Sequence, residues 1–280
     1  MSGLNSTSVT DVKSSIFFYH PAGELPPLTI SNLMQRYSVP FKHSIPLDWS
    51  IYYQLIDGQL KLVVNGTPLG ERAIAPISID LISMLKYHLR QNYSIKREPF
   101  FKALGLSGNE RISVVDATCG MAQDSMLILS VGAIVTSYER SNILIPLILD
   151  GVERMRNGLS QEVGSERAAS ILERFQFCPA DLFQMSSNSQ VGQLERPQVI
   201  YLDPMYSSQS GRHKAQSNIR MRLLQQILAP QDDENQLLVW AQRYALKRVV
   251  VKRALRADPL GGVTPHHTHC GKSTRYDVYC

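Results

Sequence analysis

The chain has 280 residues, of which 44% are hydrophobic, and a formal net charge of +5. This length and composition can bury a full core, which excludes a disordered chain, and the mild basic excess is compatible with a nucleic-acid partner without requiring one. The polar N-terminus lacks the apolar core of a signal peptide, no apolar run is long enough to span a membrane, and the four cysteines show no regular spacing. We therefore expect a reduced, cytoplasmic protein without a membrane partner.

Two β-rich runs near the start of the chain predict a hairpin. They cover residues 49–56 and 59–64 and are joined by Asp57-Gly58, a dipeptide that favours tight turns. Together with a helix predicted ahead of it, the hairpin indicates a small α+β module over residues 1–76. The aromatic residues of the first run fit alternating core positions better than stacking on RNA bases; they are Trp49, Tyr52 and Tyr53.

An amphipathic pattern over residues 77–91 predicts the first helix of a second domain, residues 77–280. The end of this helix is basic and interleaved with aromatic residues, a composition that suits contact with RNA phosphates. Arg90 lies in this stretch and is a candidate RNA contact. Cations are also favoured near the C-terminus of any helix, and this explains the charge about equally well.

A β-loop-α-β pattern in the middle of the chain is the centre of the second domain. The short apolar run 112–115 predicts a strand buried on both faces, and it ends in Asp116. A turn with Gly120 leads into a helix that begins at Asp124, and a second β-branched run ends in Glu139. In such a unit the first turn holds a nucleotide-like ligand, and the acid after the second strand accepts hydrogen bonds from ribose hydroxyls.

The spacing within this turn discriminates between two cofactor classes. A dinucleotide fingerprint has the form Gly-x-Gly-x-x-Gly, whereas this chain has Gly120, Ala122 and Ser125 at those positions, which disfavours a dehydrogenase. An acid such as Asp116, which ends the first strand four residues before the glycine, is instead typical of S-adenosylmethionine (SAM) methyltransferases. We therefore expect SAM as the cofactor, bound by residues that include Asp116, Gly120 and Glu139. A purely structural βαβ unit is the alternative.

A second motif follows a strand predicted at residues 199–202 and reads Asp203-Pro204-Met205-Tyr206. Ligands of doubly wound sheets lie outside the carboxyl ends of the strands, so Asp203 is expected in the same crevice as the acids above. Asp-Pro-x-aromatic resembles the signature of methyltransferases that modify exocyclic amino groups of bases. Asp203 would orient the amine, Pro204 would stiffen the turn, and Tyr206 would stack on a base taken out of its pairing. An ordinary β-turn is the alternative.

The remaining elements continue the α/β alternation. A helix is expected at residues 143–155, followed by a polar surface segment at 157–167. A third strand is predicted at 174–178, and Asp181 after it could hold the adenine amino group of SAM or cap the next helix. A terminal strand pair, with its last strand at 276–279, is expected to be inserted antiparallel.

Basic residues in the last third of the chain are candidate RNA contacts. They lie in the stretch 211–222 and directly after a strand predicted at 248–251. We expect them to line the substrate side of the site, where phosphate contacts would make binding salt-dependent. The candidates are Lys214, Arg220, Lys252 and Arg253.

The segment from His266 to Cys270 reads HHTHC and contains potential metal ligands. Their spacings are too short for a closed tetrahedral site from one loop, and no second ligand pair stands out elsewhere in the sequence. A solvated loop without a metal is the expectation.

Several motifs occur together and in order: VVDATCGMAQD, LSVGA, QVIYLDPMY, KRVVVKR and RYDVY. In this combination the chain resembles the bacterial small-subunit ribosomal RNA guanine-N2 methyltransferases of the J type over residues 25–280. The resemblance implies an α/β, Rossmann-like class I SAM-dependent methyltransferase fold with a mostly parallel seven-stranded sheet. It also implies a guanosine near the 3′ end of 16S rRNA as methyl acceptor, and 16S rRNA or the small ribosomal subunit as partner.

The resemblance further implies cofactor contacts at the positions that match the family's motifs, namely Gln123, Asp124, Glu139, Arg140, Ala180, Asp181 and Asp203. The chain departs from the family in three places. The family usually has arginine where Gln123 stands and glycine where Ala122 stands, and the segment from His88 to Glu98 lacks the family's triple glycine. Two alternatives stay open: a methyltransferase for adenine N6 or another RNA, and a non-catalytic RNA-binding protein with a decayed site.

Overall fold

The computed structural model describes residues 16–24, 26–45, 50–65, 74–106, 111–182, 196–204 and 234–280. The predictions for Trp49, Tyr206, Lys214 and Arg220 lie outside these ranges. The described residues form two compact units. One comprises the residues up to Ile79 together with Ser141–Gly151, and the other comprises Asp80–Arg140 and the described residues from Val152 onward.

The first unit is built on a four-stranded sheet with the order β2-β1-β3-β4. Strand β1 is parallel to β2 and β3, whereas β3 and β4 form the predicted antiparallel hairpin. The elements are β1 Phe17–Tyr19, α1 Leu28–Arg36, β2 Phe41–Lys42, β3 Ser50–Ile56 and β4 Gln59–Asn65.

The hairpin owes its tight turn to two residues with positive φ, Asp57 at 54° and Gly58 at 71°. This is the backbone that a two-residue hairpin loop requires. Tyr53 is buried, and its hydroxyl donates to the Ile143 carbonyl at 2.8 Å. Tyr52 is buried as well. The core interpretation of these two tyrosines is therefore confirmed, and stacking on RNA is not their role.

The second unit contains a seven-stranded sheet with the order β10-β11-β9-β8-β5-β6-β7. Neighbouring strands from β9 to β7 are parallel, and β10 and β11 are antiparallel. This mostly parallel sheet with a terminal antiparallel pair confirms the predicted fold class. The strands are β5 Ser113–Asp116, β6 Ile134–Glu139, β7 Phe175–Pro179, β8 Val199–Leu202, β9 Arg248–Ala254, β10 His267–Cys270 and β11 Thr274–Tyr279.

Strand register divides the side chains of this sheet between two faces. Asp116, Ser137 and Tyr201 are cross-strand partners and share one face, which the helices Gln123–Ser130 (α4) and Pro99–Leu104 (α3) cover. The opposite face is apolar, with Leu202, Val251 and Tyr138 among the residues that pack against the helix Glu234–Tyr244 (α7). The helices are α2 Leu81–Arg90, α3 Pro99–Leu104, α4 Gln123–Ser130, α5 Ile145–Val163, α6 Ser165–Glu173 and α7 Glu234–Tyr244, and a 3₁₀ turn covers Leu260–Gly262. No helix among the described residues is both long and apolar enough to cross a membrane.

The first predicted helix of the second domain begins later than the sequence suggested. It starts at Leu81 because Asp80 caps it, accepting a hydrogen bond from the Ser83 amide at 3.0 Å. Ile77, which the amphipathic pattern assigned to this helix, instead forms an antiparallel bridge with Leu62.

The polar segment at 157–167 is largely exposed, as predicted, but it is helical, so the helix predicted at 143–155 does not end at Met155. Helix α5 continues to Val163, and a new helix begins at Ser165 after Gly164, whose φ of 86° breaks the first. Met155 and Leu159 are buried four residues apart, which is helical spacing. The polar residues between them form the outer side of the same helix.

The histidine segment is also not a loop. Residues His267–Cys270 form the edge strand β10, paired antiparallel with β11. Its side chains are largely exposed, so no alternation of apolar and polar residues marked it as a strand. Among the described residues, no group of three histidine, cysteine or acidic side chains is arranged to hold a metal ion.

Candidate active site

Four acids follow the carboxyl ends of neighbouring parallel strands in the second unit. Asp116 ends β5, Glu139 ends β6, Asp181 follows β7 and Asp203 follows β8. The carboxyl ends of parallel strands lie at one edge of a sheet, which is where doubly wound folds bind their ligands. The four acids therefore meet at one edge, as the sequence predicted, but their side chains make different contacts there.

Asp116 lies beneath the turn that follows β5. Its side chain is 1% exposed, and its two carboxylate oxygens accept hydrogen bonds from the Thr118 amide and the Ser125 hydroxyl. Ser137 in turn donates to the Ser125 oxygen at 2.8 Å. The prediction of Asp116 as a direct cofactor contact is not supported, because this carboxylate is enclosed by the protein and holds the turn in place.

Burial also changes the protonation of this carboxylate. It raises the pKa of Asp116 to about 7, although the hydrogen bonds from Ser125 and Thr118 act in the opposite direction. The nearby carboxylates of Asp124 and Asp203 raise the pKa of Asp116 further. A buried acid with this pKa keeps its proton below neutral pH and is about half protonated near pH 7.

The turn itself has two residues in the left-handed region, Gly120 at φ 55° and Ala122 at φ 62°. The Gly120 amide donates to the Glu139 carboxylate at 2.8 Å, so the acid predicted to bind ribose also fixes the turn. A side chain costs about 1–2 kcal/mol in this conformation. Ala122 therefore has a backbone conformation that glycine would adopt at lower cost.

Lys252 connects two further acids. Its ammonium lies 2.7 Å from Asp124 Oδ2 and 2.9 Å from Asp203 Oδ2. The Tyr201 hydroxyl donates to the same Asp124 oxygen at 2.6 Å. Asp203 is also held through its backbone, because its amide donates to the Thr118 hydroxyl at 2.6 Å. These contacts join α4, the end of β8 and β9 into one charged cluster.

The cluster is only partly enclosed, with the side chains of Asp124, Asp203 and Lys252 exposed by 24%, 32% and 29%. Burial raises the pKa of Asp203, Lys252 lowers it, Asp124 raises it, and the net pKa is above the ordinary value. Burial lowers the pKa of Lys252, but the two carboxylates outweigh it and hold the ammonium charged.

Aromatic side chains lie beside this cluster. The Phe100 ring contacts the rings of Tyr201 and Tyr276, at centroid distances of 5.4 and 5.0 Å. Tyr276 is directly opposite Lys252 in the pairing of β11 with β9. Burial raises the pKa of Tyr276 to about 12. On α2, burial lowers the pKa of His88 while Asp124 raises it.

A second ion pair lies further along the same edge. Arg140 after β6 is 3.4 Å from Asp181 after β7. The Ala180 amide between β7 and Asp181 donates to the Cys178 carbonyl at 2.9 Å. The predicted cofactor positions Arg140, Ala180 and Asp181 are therefore adjacent, with the arginine holding the aspartate.

The basic residues predicted to contact RNA lie in different surroundings. Arg90 is exposed at the end of α2. Lys252 is paired with carboxylates. Arg253 is 8% exposed and its Nε donates to the Asp258 carbonyl at 2.9 Å. Consecutive residues of a strand point to opposite faces, so Lys252 and Arg253 have different surroundings, and the burial of Arg253 argues against an RNA contact.

Four residues of the site were missed from the sequence: Thr118, Tyr201, Tyr276 and Phe100. One signal was present for Tyr201, which stands in an otherwise aliphatic strand two residues before Asp203 and therefore shares its face. Phe100 could not be placed because α3 was not predicted.

The comparisons with known proteins agree with this architecture. Residues 42–280 match the SAM_MT family model, which describes SAM-dependent methyltransferases. A crystal structure of a SAM-dependent methyltransferase from Neisseria gonorrhoeae has the same fold, with a TM-score of 0.67, 22% identity, and coverage of 94% of this chain and 95% of that chain.

Curated relatives carry a more specific name. The chain is 34% identical over 233 residues to ribosomal RNA small subunit methyltransferase J of Thioalkalivibrio sulfidiphilus, covering 79% of this chain and 84% of the relative. It is 35% identical to the protein of that name from Alteromonas mediterranea, covering 81% of each chain. For Serratia proteamaculans the identity is 36%, with coverage of 75% and 79%. With its match to the methyltransferase model and these relatives, the chain belongs to the ribosomal RNA small subunit methyltransferase J family of SAM-dependent methyltransferases.

Proposed function

We propose that this chain transfers a methyl group from SAM to the exocyclic N2 of a guanosine near the 3′ end of 16S rRNA. The observation that carries the proposal is Asp203, a partly exposed carboxylate at the end of β8, directly before Pro204 and within the charged cluster. The names of the relatives support the ribosomal RNA substrate. Such a substrate would place the activity in the cytoplasm.

The acids at this edge suit SAM by their chemistry. SAM presents hydrogen-bond donors on its ribose, its adenine amine and its α-ammonium, and it carries a positive sulfur. Glu139 would hold the ribose hydroxyls, since a carboxylate has about four acceptor sites and can bind the Gly120 amide at the same time. Asp181, fixed by Arg140, would hold the adenine amine. The α-ammonium group of SAM would lie among Gln123, Asp124 and Asp203.

Bound SAM supplies a methyl group already activated by the adjacent positive sulfur, so the chain's residues have to position the amine. Asp203 accepts a hydrogen bond from the guanine amino group and directs the nitrogen lone pair. Its own position is set by Thr118 through the backbone and by Lys252 through the side chain. Correct positioning of this kind supplies a large part of a rate enhancement. The proton that N2 loses can pass to the Asp203 carboxylate and then to water.

On the RNA side, we propose that Arg90 contacts phosphate, together with Lys214 and Arg220, and that Tyr206 stacks on the target base. Arg90 is exposed and the chain carries a net charge of +5, which supports binding to a polyanion. Lys252 does not belong to this group, because its ammonium is already held by two carboxylates.

The test is to incubate the protein with labelled SAM and small ribosomal subunits or their isolated RNA, and then identify the methylated nucleoside by mass spectrometry. We expect N2-methylguanosine in a fragment from the 3′ end of the RNA, and loss of the label with the Asp203→Ala variant. If the label is found in N6-methyladenosine, the target is adenine N6 and not guanine N2. RNA that binds without acquiring a label would instead support a non-catalytic RNA-binding protein.

A further inference from the structure

On the basis of the proposed function, we propose that Lys252 is a positioning residue for methyl transfer: by bridging Asp124 and Asp203, it keeps the Asp203 carboxylate charged and fixed as the acceptor for the target amine. This role differs from the phosphate contact that the sequence predicted for the same lysine.

The geometry of the cluster is that of one cation shared by two anions. The ammonium is within hydrogen-bonding distance of both carboxylates, at 2.7 and 2.9 Å. The cluster of Asp124, Asp203 and Lys252 therefore carries a net negative charge when all three are ionised. A phosphate approaching Lys252 would be repelled by these carboxylates, whereas a positively charged cofactor or an amine donor would be attracted.

Each member of the cluster is held by a different part of the fold. Lys252 is fixed on β9 opposite Tyr276 of β11, and the ring of Tyr276 packs against Phe100. The Tyr201 hydroxyl bonds Asp124. This support leaves Lys252 in a defined place, so its ammonium can define the orientation of the Asp203 carboxylate in turn.

The other titratable groups around the cluster mostly oppose ionisation of Asp203. Asp124 on α4 raises its pKa, as burial does, and Lys252 is the group that lowers it. Asp116 on β5 is also electrostatically coupled to Asp203. Among the described residues, His88 of α2, Tyr201 of β8 and Tyr276 of β11 also interact electrostatically with the cluster, and Glu98 before α3 acts on Tyr276.

Removing Lys252 would leave two close carboxylates without their shared cation. Two neighbouring carboxylates raise each other's pKa, so the pair would retain a proton to higher pH. A protonated Asp203 is a hydrogen-bond donor on one oxygen and a weaker acceptor. Methyl transfer would then require a higher pH, at which the pair loses its proton.

The experiment measures the single-turnover rate of methyl transfer against pH for the parental protein and Lys252→Met, which replaces the ammonium by an uncharged chain of similar length. An opposite charge at close range lowers a carboxyl pKa by about 1–3 units, so the acid limb of the profile should move up by about 1–3 pH units. At a pH below both limbs, a shift of one unit corresponds to a rate about tenfold lower. Lys252→Arg, which keeps a cation, should leave the limb near its parental position.

Lys86→Met is the matched control. Lys86 is 27% exposed, close to the value for Lys252, and it forms an ion pair with Glu162 elsewhere on the same unit. Its removal should not move the acid limb. If Lys252→Met leaves the acid limb unmoved and lowers the rate equally at every pH, Lys252 only supports the structure. The proposal would then be wrong.

A second variant keeps the test decisive if Lys252→Met does not fold. Asp124→Asn removes one of the two carboxylates, so the Lys252 ammonium pairs with Asp203 without competition from Asp124. The acid limb should then move to lower pH, opposite to the Lys252→Met shift. An unchanged limb in a folded Asp124→Asn protein would contradict the proposal. The profile is read on whichever RNA the parental protein methylates, whereas the identity of the methylated nucleoside separately tests the proposed function.

Discussion

Two acidic side chains, Asp116 and Asp203, lie at the same edge of the sheet and differ in what surrounds them. Asp116 is enclosed by Thr118, Ser125 and Ser137, whose neutral donors and hydroxyls form a closed network beneath the turn. Asp203 is about a third exposed and is paired with a charged lysine. Both acids end parallel strands, so their place in the sequence is equivalent. Burial and the type of partner separate the acid that shapes the site from the acid that can meet a ligand.

The same difference in surroundings has opposite effects on the pKa values of the two acids. Hydroxyl partners do not offset the burial of Asp116, and its pKa rises to about 7. A cationic partner opposes the effect of burial on Asp203, which favours the charged form that an amine donor needs. We expect the first acid to influence stability and the second to influence catalysis.

The largest expected effect is that of Asp203→Ala on methyl transfer. The variant loses the group that orients the amine, and a misplacement of about 1 Å can lower a rate roughly 10²-fold. Folding should be retained, because the side chain lies at a strand end and is partly exposed. The measurement is label transfer from SAM to small-subunit rRNA, with circular dichroism as the control for folding. A parental rate in this variant would reduce Asp203 to a turn residue.

Glu139→Ala should weaken SAM binding next most strongly. Hydrogen bonds to a charged group contribute about 1.5–3 kcal/mol each, so losing one weakens binding roughly tenfold or more. Glu139→Gln is the control, since it keeps an acceptor for the Gly120 amide and should bind more tightly than the alanine variant. Calorimetry that gives the parental dissociation constant for Glu139→Ala would remove ribose binding from this residue.

Asp116→Asn should change the pH dependence of stability. The pKa of Asp116 in the folded protein is about 7, above the ordinary value of 3.8, so the folded protein retains a proton that the unfolded chain releases between these values. The stabilisation from this proton is complete below the ordinary pKa and is lost as the pH rises through about 7. The asparagine variant should lack this decline, which reaches about 1.4 kcal/mol per pH unit. Urea unfolding across this range measures it, and identical slopes for both proteins would contradict the burial argument.

Arg90→Ala should have the smallest effect. Loss of one phosphate contact lowers the slope of log affinity against log salt by about 0.7–0.9, with a modest loss of affinity. Arg253→Met serves as the comparison, because Arg253 is buried on the opposite face and its loss should alter stability without altering the salt slope. RNA-binding isotherms at several salt concentrations distinguish the two. A slope that changes for Arg253 and not for Arg90 would reverse the assignment.

The sequence predicted the parts of the fold that local chemistry determines. β-Branched runs that end in an acid identified β5, β6 and β8 with their carboxyl ends, and Asp57-Gly58 identified the hairpin. In each case the residues that form the element also contain the signal. The edge strand β10 lacks such a signal, because its side chains are exposed on an antiparallel edge.

The charged cluster could not be predicted in the same way. Asp124 and Lys252 are far apart in the chain, and their contact depends on the order of the strands in the sheet. The predicted strand at 248–251 ended before Lys252 and Arg253, which left both as loop residues with no assigned face. In the structure β9 continues to Ala254, and the alternation of a strand then gives the two residues opposite surroundings.

The most direct test of the division between the two acids compares Asp203→Asn with Asp116→Asn in one single-turnover methyl-transfer assay at neutral pH. Each substitution removes a carboxylate and keeps the shape of the side chain. Charge-assisted hydrogen bonds are roughly twice as strong as neutral ones, so Asp203→Asn should be slower by about tenfold or more. Asp116→Asn should stay close to the parental rate, since that carboxylate is enclosed and accepts its hydrogen bonds from the Thr118 amide and the Ser125 hydroxyl. Equal losses in the two variants, or a greater loss in Asp116→Asn, would contradict the account.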